Sequence, residues 1–165
     1  MTTKTLSTIC CAAAITAPTL PVAADLTVQF VHPERFADAG NYGVRSHRNL
    51  ESIKRHLLTV GDRCLAAGHT VDIRITDINL AGQHEWWHPG AYDTRIMRDI
   101  TWPWADLEYR WKDERGKVLA EQRERLSDMN YLSRSAFVRS DSDPLIYDKT
   151  MLSAWFEQRF YPQHG

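Results

Sequence analysis

The chain has 165 residues, with 20 lysines and arginines against 21 aspartates and glutamates and a formal net charge of −1. Its basic residues alternate with acidic ones instead of forming one block, so charge does not predict a nucleic-acid-binding protein. The length fits one ordinary domain with a hydrophobic core of its own.

The first 24 residues have the composition of an export signal. Lys4 gives a short positive segment, residues 6–17 are apolar, and Val22-Ala23-Ala24 supplies the small residues of a cleavage site. The apolar stretch is too short to span a bilayer, and we expect no membrane span. We therefore expect cleavage after Ala24 and a soluble periplasmic protein whose single domain covers residues 25–165.

The cysteines fit this division of the chain. Cys10 and Cys11 lie in the leader without the preceding Leu-small-small pattern of a lipoprotein, so no lipid anchor is expected. Cys64 is then the only mature cysteine, and no internal disulfide can form. It continues the helical series of Leu50, Ile53, Leu57 and Val60, which predicts a buried thiol.

Apolar residues alternate with polar ones in several strand-like segments. This period predicts strands over residues 26–30, 71–76 and 105–111, a turn at 113–116, an antiparallel partner strand over 117–126, and a short strand near 94–98. The charged runs around the turn and in the partner strand are interpreted as solvated surface.

Two segments have helical periodicity. The first is predicted to begin at Asn49 as N-cap and to stop at Gly68, and the second is opened by Asp143 and Pro144. The second helix has an apolar face of six residues: Tyr147, Met151, Leu152, Trp155, Phe156 and Phe160. The chain therefore predicts a single α+β domain, a mainly antiparallel sheet with two helices packed on one face.

One short segment matches a catalytic zinc motif. Residues 84–88, His-Glu-Trp-Trp-His, have the H-E-x-x-H spacing in which two histidines one helical turn apart bind zinc and the glutamate acts as general base. That motif needs a helix, but Pro89 pushes the preceding residue out of the helical region. A surface loop is the favoured interpretation, and a zinc-dependent metallohydrolase using His84, Glu85 and His88 is an alternative.

Five of the six tryptophans lie between positions 86 and 111. The alternation of the third strand predicts that Trp111 is core, and Trp102 is expected to pack beside that strand. Trp86, Trp87 and Trp104 form a possible binding surface, because exposed indoles stack on sugar rings or on a partner protein.

Several short motifs together resemble a known family. They are Phe30-Val31-His32-Pro33 with Phe36 and Asp38, Leu80-Ala81-Gly82, Trp102-Pro103, the Ser-Asp-Met-Asn-Tyr-Leu run at 127–132, and Tyr147-Asp148-Lys149 followed by Met151, Trp155-Phe156 and Arg159-Phe160. Over nearly the whole mature length the chain resembles the exported bacterial proteins of domain-of-unknown-function family 3016. Asp148 departs mildly from the glutamate usual there, and the resemblance implies no activity or catalytic residue.

These observations favour a non-catalytic binding or interaction module of the cell envelope that uses no cofactor. Its partner would be an envelope protein or a glycan. Two alternatives stay open: the zinc-dependent metallohydrolase, and a glycan-binding module that uses the exposed tryptophans.

Overall fold

The computed structural model describes residues 23–40, 44–85, 87, 94–133 and 142–161. Most of the predicted export signal, residues 1–22, lies outside the described residues. The strands are β1 (Asp25–Phe30), β2 (Thr70–Asn79), β3 (Gln83–His84), β4 (Arg95–Ile96), β5 (Trp104–Lys112) and β6 (Val118–Ser127), and the helices are α1 (Val44–Cys64) and α2 (Ile146–Phe160), with short 3-10 turns at Pro33–Arg35 and Tyr131–Ser133.

Four strands form the main sheet in the order β1-β2-β5-β6, and β3 pairs with β4 as a small separate ribbon. β1 runs parallel to β2, as expected for two strands joined through a crossover helix, here α1. The β2–β5 and β5–β6 pairs are antiparallel. This arrangement confirms the predicted α+β domain with two helices and a mainly antiparallel sheet.

The hydrophobic core lies between the sheet and the two helices. Val71, Ile73 and Ile75 of β2 are fully buried, and an irregularity between Ile75 and Asp77 resets the alternation so that Ile78 is buried as well. Cys64 is 7 % exposed and belongs to the same core, as its place in the helical series predicts.

Both helices begin elsewhere than the sequence predicts. α1 begins at Val44, and Asn49 lies inside it, where its side-chain amide donates a hydrogen bond to the carbonyl of Ala39 at 3.0 Å. The helix ends at Cys64, before Gly68. α2 begins at Ile146, and the Asp143 carboxylate accepts from the Leu145 N–H at 2.9 Å in the turn before the helix.

The face of the sheet away from the helices is covered by cross-strand ion pairs. Arg110 of β5 pairs with Glu121 of β6 at 2.7 Å, and Arg125 pairs with Asp106 at 2.6 Å. Asp106 is 29 % exposed and the other three side chains are 50–63 % exposed, so the charged runs are solvated surface, as predicted. No helix in the described ranges is both long and apolar enough to cross a membrane.

Candidate binding site

The chain leaves β2 through a buried three-residue loop, Leu80-Ala81-Gly82. Gly82 has a φ of 74°, in the left-handed region that favours glycine. A Cβ there would lie 2.9 Å from the carbonyl oxygen of Ile96, so β4 can approach the loop this closely only because residue 82 has no side chain. The Gly82 N–H donates to the Thr101 carbonyl at 2.9 Å, which ties the loop to the segment ahead of β5.

Arg95 of β4 holds this loop through its backbone carbonyls. Its guanidinium donates to the carbonyl oxygens of residues 80, 81 and 82 at 2.9, 2.9 and 2.5 Å. The same group pairs with both carboxylate oxygens of Asp38, at 2.9 and 3.3 Å. The Arg95 side chain is only 10 % exposed, so the guanidinium is committed to these contacts. We call Asp38, Arg95 and the 80–82 loop the arginine clasp.

Asp148, in the first turn of α2, holds the same loop from the side of the helix. One carboxyl oxygen accepts the Ala81 N–H at 2.9 Å, and the other is buried without a hydrogen-bond partner. The side chain is 1 % exposed, and this burial raises the pKa of Asp148 to about 7. The Ala81 hydrogen bond and the positive charge of Arg95 lower that pKa, and the carboxylate of Asp38 raises it further, but burial dominates.

The 127–132 segment closes the same end of the molecule. Tyr131 is fully buried, its ring contacts the ring of Tyr147 edge-on at 5.0 Å, and its hydroxyl donates to the Arg98 carbonyl at 2.6 Å. The Asp128 N–H donates to the carbonyl of Pro103 at 3.1 Å. Each motif that carries the family resemblance therefore has at least one residue at this end, although β1 and the rest of α2 lie elsewhere.

The segment that matches the zinc motif is extended at its start. His84 is half-buried in β3, and Glu85 is 5 % exposed, with its two carboxylate oxygens 2.8 and 3.0 Å from the Arg98 guanidinium. Trp86 and His88 lie outside the described residues. Among the residues that are described, no three His, Cys, Asp or Glu side chains are grouped so as to hold a metal ion.

The tryptophans differ in their surroundings. Trp111 is half-buried and contacts Phe160 edge-on at 5.4 Å, so it packs against the core as predicted. Trp102, expected to pack beside the same strand, is half-buried as well and lines an open cleft. Trp104 lines the same cleft, and Trp87 is 56 % exposed elsewhere.

Two open clefts meet at this end of the sheet. The tryptophan cleft, of about 350 Å³, lies between the end of β2 and the start of β5. The helix cleft, of about 670 Å³, lies between β3 and the first turns of α1. They share Ala37, Asp38 and Gln83, so the carboxylate of the arginine clasp lies where they join. The tryptophan cleft is lined mainly by Asn79, Gln83, Ile100, Thr101, Trp102 and Trp104.

Sequence reasoning singled out Trp104 at this site but missed Arg95 and Arg98. No periodicity marks those arginines, because each acts through contacts with segments distant in the chain. The 80–82 loop, Asp38 and Asp148 were visible only as parts of the family motifs. Most residues of the site therefore belong to recognisable sequence motifs, but no pattern indicates that these motifs lie close together in the fold.

The fold and the site together define a small α+β domain with open clefts over a buried polar clasp. A family model matches residues 24–158, and the chain belongs to that family, described as protein of unknown function (DUF3016). The resemblance predicted from the short motifs is thereby confirmed. Neither a curated protein nor a solved structure is similar enough to count as a match.

Proposed function

We propose that this protein is an exported binding module of the cell envelope and that its ligand or partner binds across the two clefts. The observation that carries the proposal is their position. Both open onto Asp38, whose carboxylate is fixed by Arg95, and the loop behind them is held by Arg95 and Asp148. A surface held this rigidly loses little conformational entropy on binding, which favours recognition.

Two features support the proposal, the first its location and the second its type of function. The signal-like leader ends at Ala24, β1 begins at Asp25, and the family model begins at residue 24, so all of the folded domain follows the expected cleavage position. The tryptophan cleft is also lined by two tryptophans and by Ile100, which is 72 % exposed. Surfaces of this kind mark binding sites more often than catalytic centres, which require converging reactive groups.

A photoreactive amino acid placed at Ile100 tests the binding surface. We expect an adduct in living cells from position 100 and none from position 119, because Leu119 is also an exposed apolar residue but lies at the opposite end of the β5–β6 hairpin. The adduct should disappear when Trp104→Ala is added. Equal adducts from both positions, or one that survives Trp104→Ala, would remove the clefts as the binding surface.

Export is tested by fractionation and by the mature N-terminus. We expect the protein in the periplasmic fraction, with Asp25 as its first residue by mass spectrometry. A cytoplasmic protein that retains Met1 would overturn this part of the proposal without affecting the binding surface.

The zinc-hydrolase alternative makes a different prediction for Glu85. In the structure its carboxylate is the partner of Arg98, so Glu85→Gln should mainly lower the stability, by about 1–2 kcal/mol, because a charge-assisted pair becomes a neutral hydrogen bond. Stoichiometric zinc in the purified protein, together with a peptidase activity that Glu85→Gln abolishes at unchanged stability, would establish the alternative instead.

A further inference from the structure

We infer that the tryptophan cleft binds an uncharged saccharide, held between its indole rings and the side-chain amides of Asn79 and Gln83. This inference rests on the proposed function and names the class of ligand. At about 350 Å³ the cleft is at the small end of the range for ligand pockets, which suits a short saccharide.

The aromatic wall of the cleft is held in place. The guanidinium of Arg125 lies over the ring of Trp104, 4.5 Å from its centroid, and is itself fixed by Asp106 at 2.6–2.7 Å. Trp102 is two residues away along the chain and lines the same cleft. Indole rings provide a flat apolar surface with a polar edge, which matches a sugar ring that is apolar on its faces and hydroxylated at its rim.

The polar side of the cleft consists of amides. The Asn79 amide nitrogen donates to the carbonyl of Trp102 at 3.3 Å, which fixes Asn79 beside the tryptophans. Gln83 lies next to the clasp glycine, and its side chain is exposed to the cleft. A side-chain amide both donates and accepts hydrogen bonds, as a sugar hydroxyl does, so neighbouring hydroxyls can be bound by one such group.

The charge of the cleft argues against an ionic ligand. Of the residues that line it, only Asp38 carries a charge, and that carboxylate is already paired with Arg95. No lining residue is a lysine, arginine or histidine, and a phosphate or carboxylate group would have to compete with Asp106 for the nearby Arg125 guanidinium. A cation would have to compete with a nearly buried guanidinium for Asp38. An uncharged ligand with many hydroxyls is the class that these side chains match.

The test uses calorimetry and intrinsic tryptophan fluorescence with the exported protein. The probes are three uncharged trimers, of N-acetylglucosamine, β-linked glucose and α-linked glucose, with a galacturonic acid trimer as the charged comparison. We expect at least one neutral trimer to bind roughly tenfold more tightly than the charged one. Trp104→Ala should weaken that binding about tenfold, and Gln83→Ala by several-fold. Leu119→Ala, an exposed apolar residue far from the cleft, should leave it unchanged.

Gln83→Ala keeps the inference testable if Trp104→Ala fails to fold, because Gln83 is an exposed side chain. The saccharide inference would be overturned by any of three results: binding that neither substitution weakens, tighter binding of the charged trimer, or no binding of any neutral trimer. If the photoreactive group at position 100 still gives an adduct that depends on Trp104, the proposed binding function stands and only the ligand class is wrong. If that adduct fails too, both proposals fall.

Discussion

Asp148 is a single carboxyl whose surroundings favour its neutral form. It is 1 % exposed, and only one of its two oxygens has a hydrogen-bond partner, the Ala81 N–H. A protonated carboxyl leaves no unpaired buried charge, which is the physical reason why burial raises its pKa to about 7 from 3.8. The sequence places this residue in a recognisable motif but does not show that it is buried.

We predict that Asp148→Asn abolishes much of the decline in stability between pH 4 and pH 7. Because the folded-state pKa lies above the unfolded-state value, the folded protein alone keeps the proton across that range. The stabilising contribution is full below about pH 4 and is lost as the pH rises toward 7, by at most ~4 kcal/mol. Asparagine cannot ionise and still accepts the Ala81 N–H, so urea unfolding should show the variant more stable than the wild type at pH 8.

The same measurements contain their own control. Burial and the nearby Lys149 lower the pKa of His56, which makes stability rise with pH up to about 6.5, but this effect is common to both proteins and cancels in their difference. Glu51→Gln, the carboxyl-to-amide substitution at an exposed residue of α1, is the matched control variant. Parallel stability curves for Asp148→Asn and the wild type would show that the carboxyl is already ionised at low pH.

Arg95 is the second residue whose removal should matter. Arg95→Ala leaves three carbonyl oxygens without their donor and leaves the Asp38 carboxylate with the Gly40 N–H in place of its charged partner, and we expect a loss of about 3 kcal/mol in the free energy of unfolding. Arg110→Ala is the matched control, since the Arg110–Glu121 pair is about half exposed and should cost less than 1 kcal/mol. Arg95→Lys should recover only part of the loss, because an ammonium cannot reproduce the planar fork. Equal losses for Arg95→Ala and Arg110→Ala in urea unfolding would contradict the clasp.

At the scale of secondary-structure elements, α1 shows what periodicity can and cannot predict. The apolar series from Leu50 to Cys64 predicts the helix correctly, because those side chains face the core. Apart from Val44, its first residues at 44–48 are polar and carry no such signal, so the pattern predicts a start at Asn49. The Asn49 side-chain amide instead donates a hydrogen bond to the Ala39 carbonyl, which is a tertiary contact. In the sequence alone, an asparagine ahead of a helical apolar series has the pattern of a capping residue.

Gly61 inside α1 marks a close approach between helix and sheet. A Cβ at this position would lie 2.5 Å from a methyl carbon of Leu26 in β1. We therefore predict that Gly61→Ala destabilises the protein by ~1 kcal/mol, although alanine favours a helix by about that amount over glycine. In a Leu26→Ala background the same change should become neutral or stabilising, and the four proteins of this double-mutant cycle are compared by urea unfolding.

Thr59→Ala gives the propensity reference for this cycle, because Thr59 lies on the exposed side of the same helix and its replacement should stabilise by a few tenths of a kcal/mol. If Gly61→Ala has the same effect with and without Leu26, the glycine is not required by the helix–strand contact.

At the scale of the whole molecule, the difference between local and long-range information explains which features were predictable. β5 and β6 form a hairpin of adjacent strands, and alternation with a Gly-containing turn predicts it closely. The site depends on contacts across the chain: Asp38 and Arg95 are 57 positions apart, and Ala81 and Asp148 are 67. Nothing in a local pattern records which arginine will meet which carboxylate, so the clasp becomes visible only when the sheet and α2 are assembled.

The rate at which a reagent modifies the Cys64 thiol reports on the stability of this assembly. The thiol lies at the end of α1, 7 % exposed, and burial raises its pKa, so both access and ionisation are suppressed in the folded state. In protein that begins at Asp25, we expect a disulfide reagent such as Ellman's to modify one thiol per chain rapidly in denaturant and only at the rate of unfolding in buffer. Cys64→Ala combined with Ala67→Cys moves the thiol to an exposed position three residues away, and this thiol should react at once in buffer.

If Cys64 reacts equally fast in buffer, or if Arg95→Ala lowers the stability without accelerating the modification of Cys64, α1 opens locally at its end and the core is not one cooperative unit. A rate that rises with Arg95→Ala and falls with Asp148→Asn at pH 8 would instead show that the clasp, the helices and the sheet unfold together.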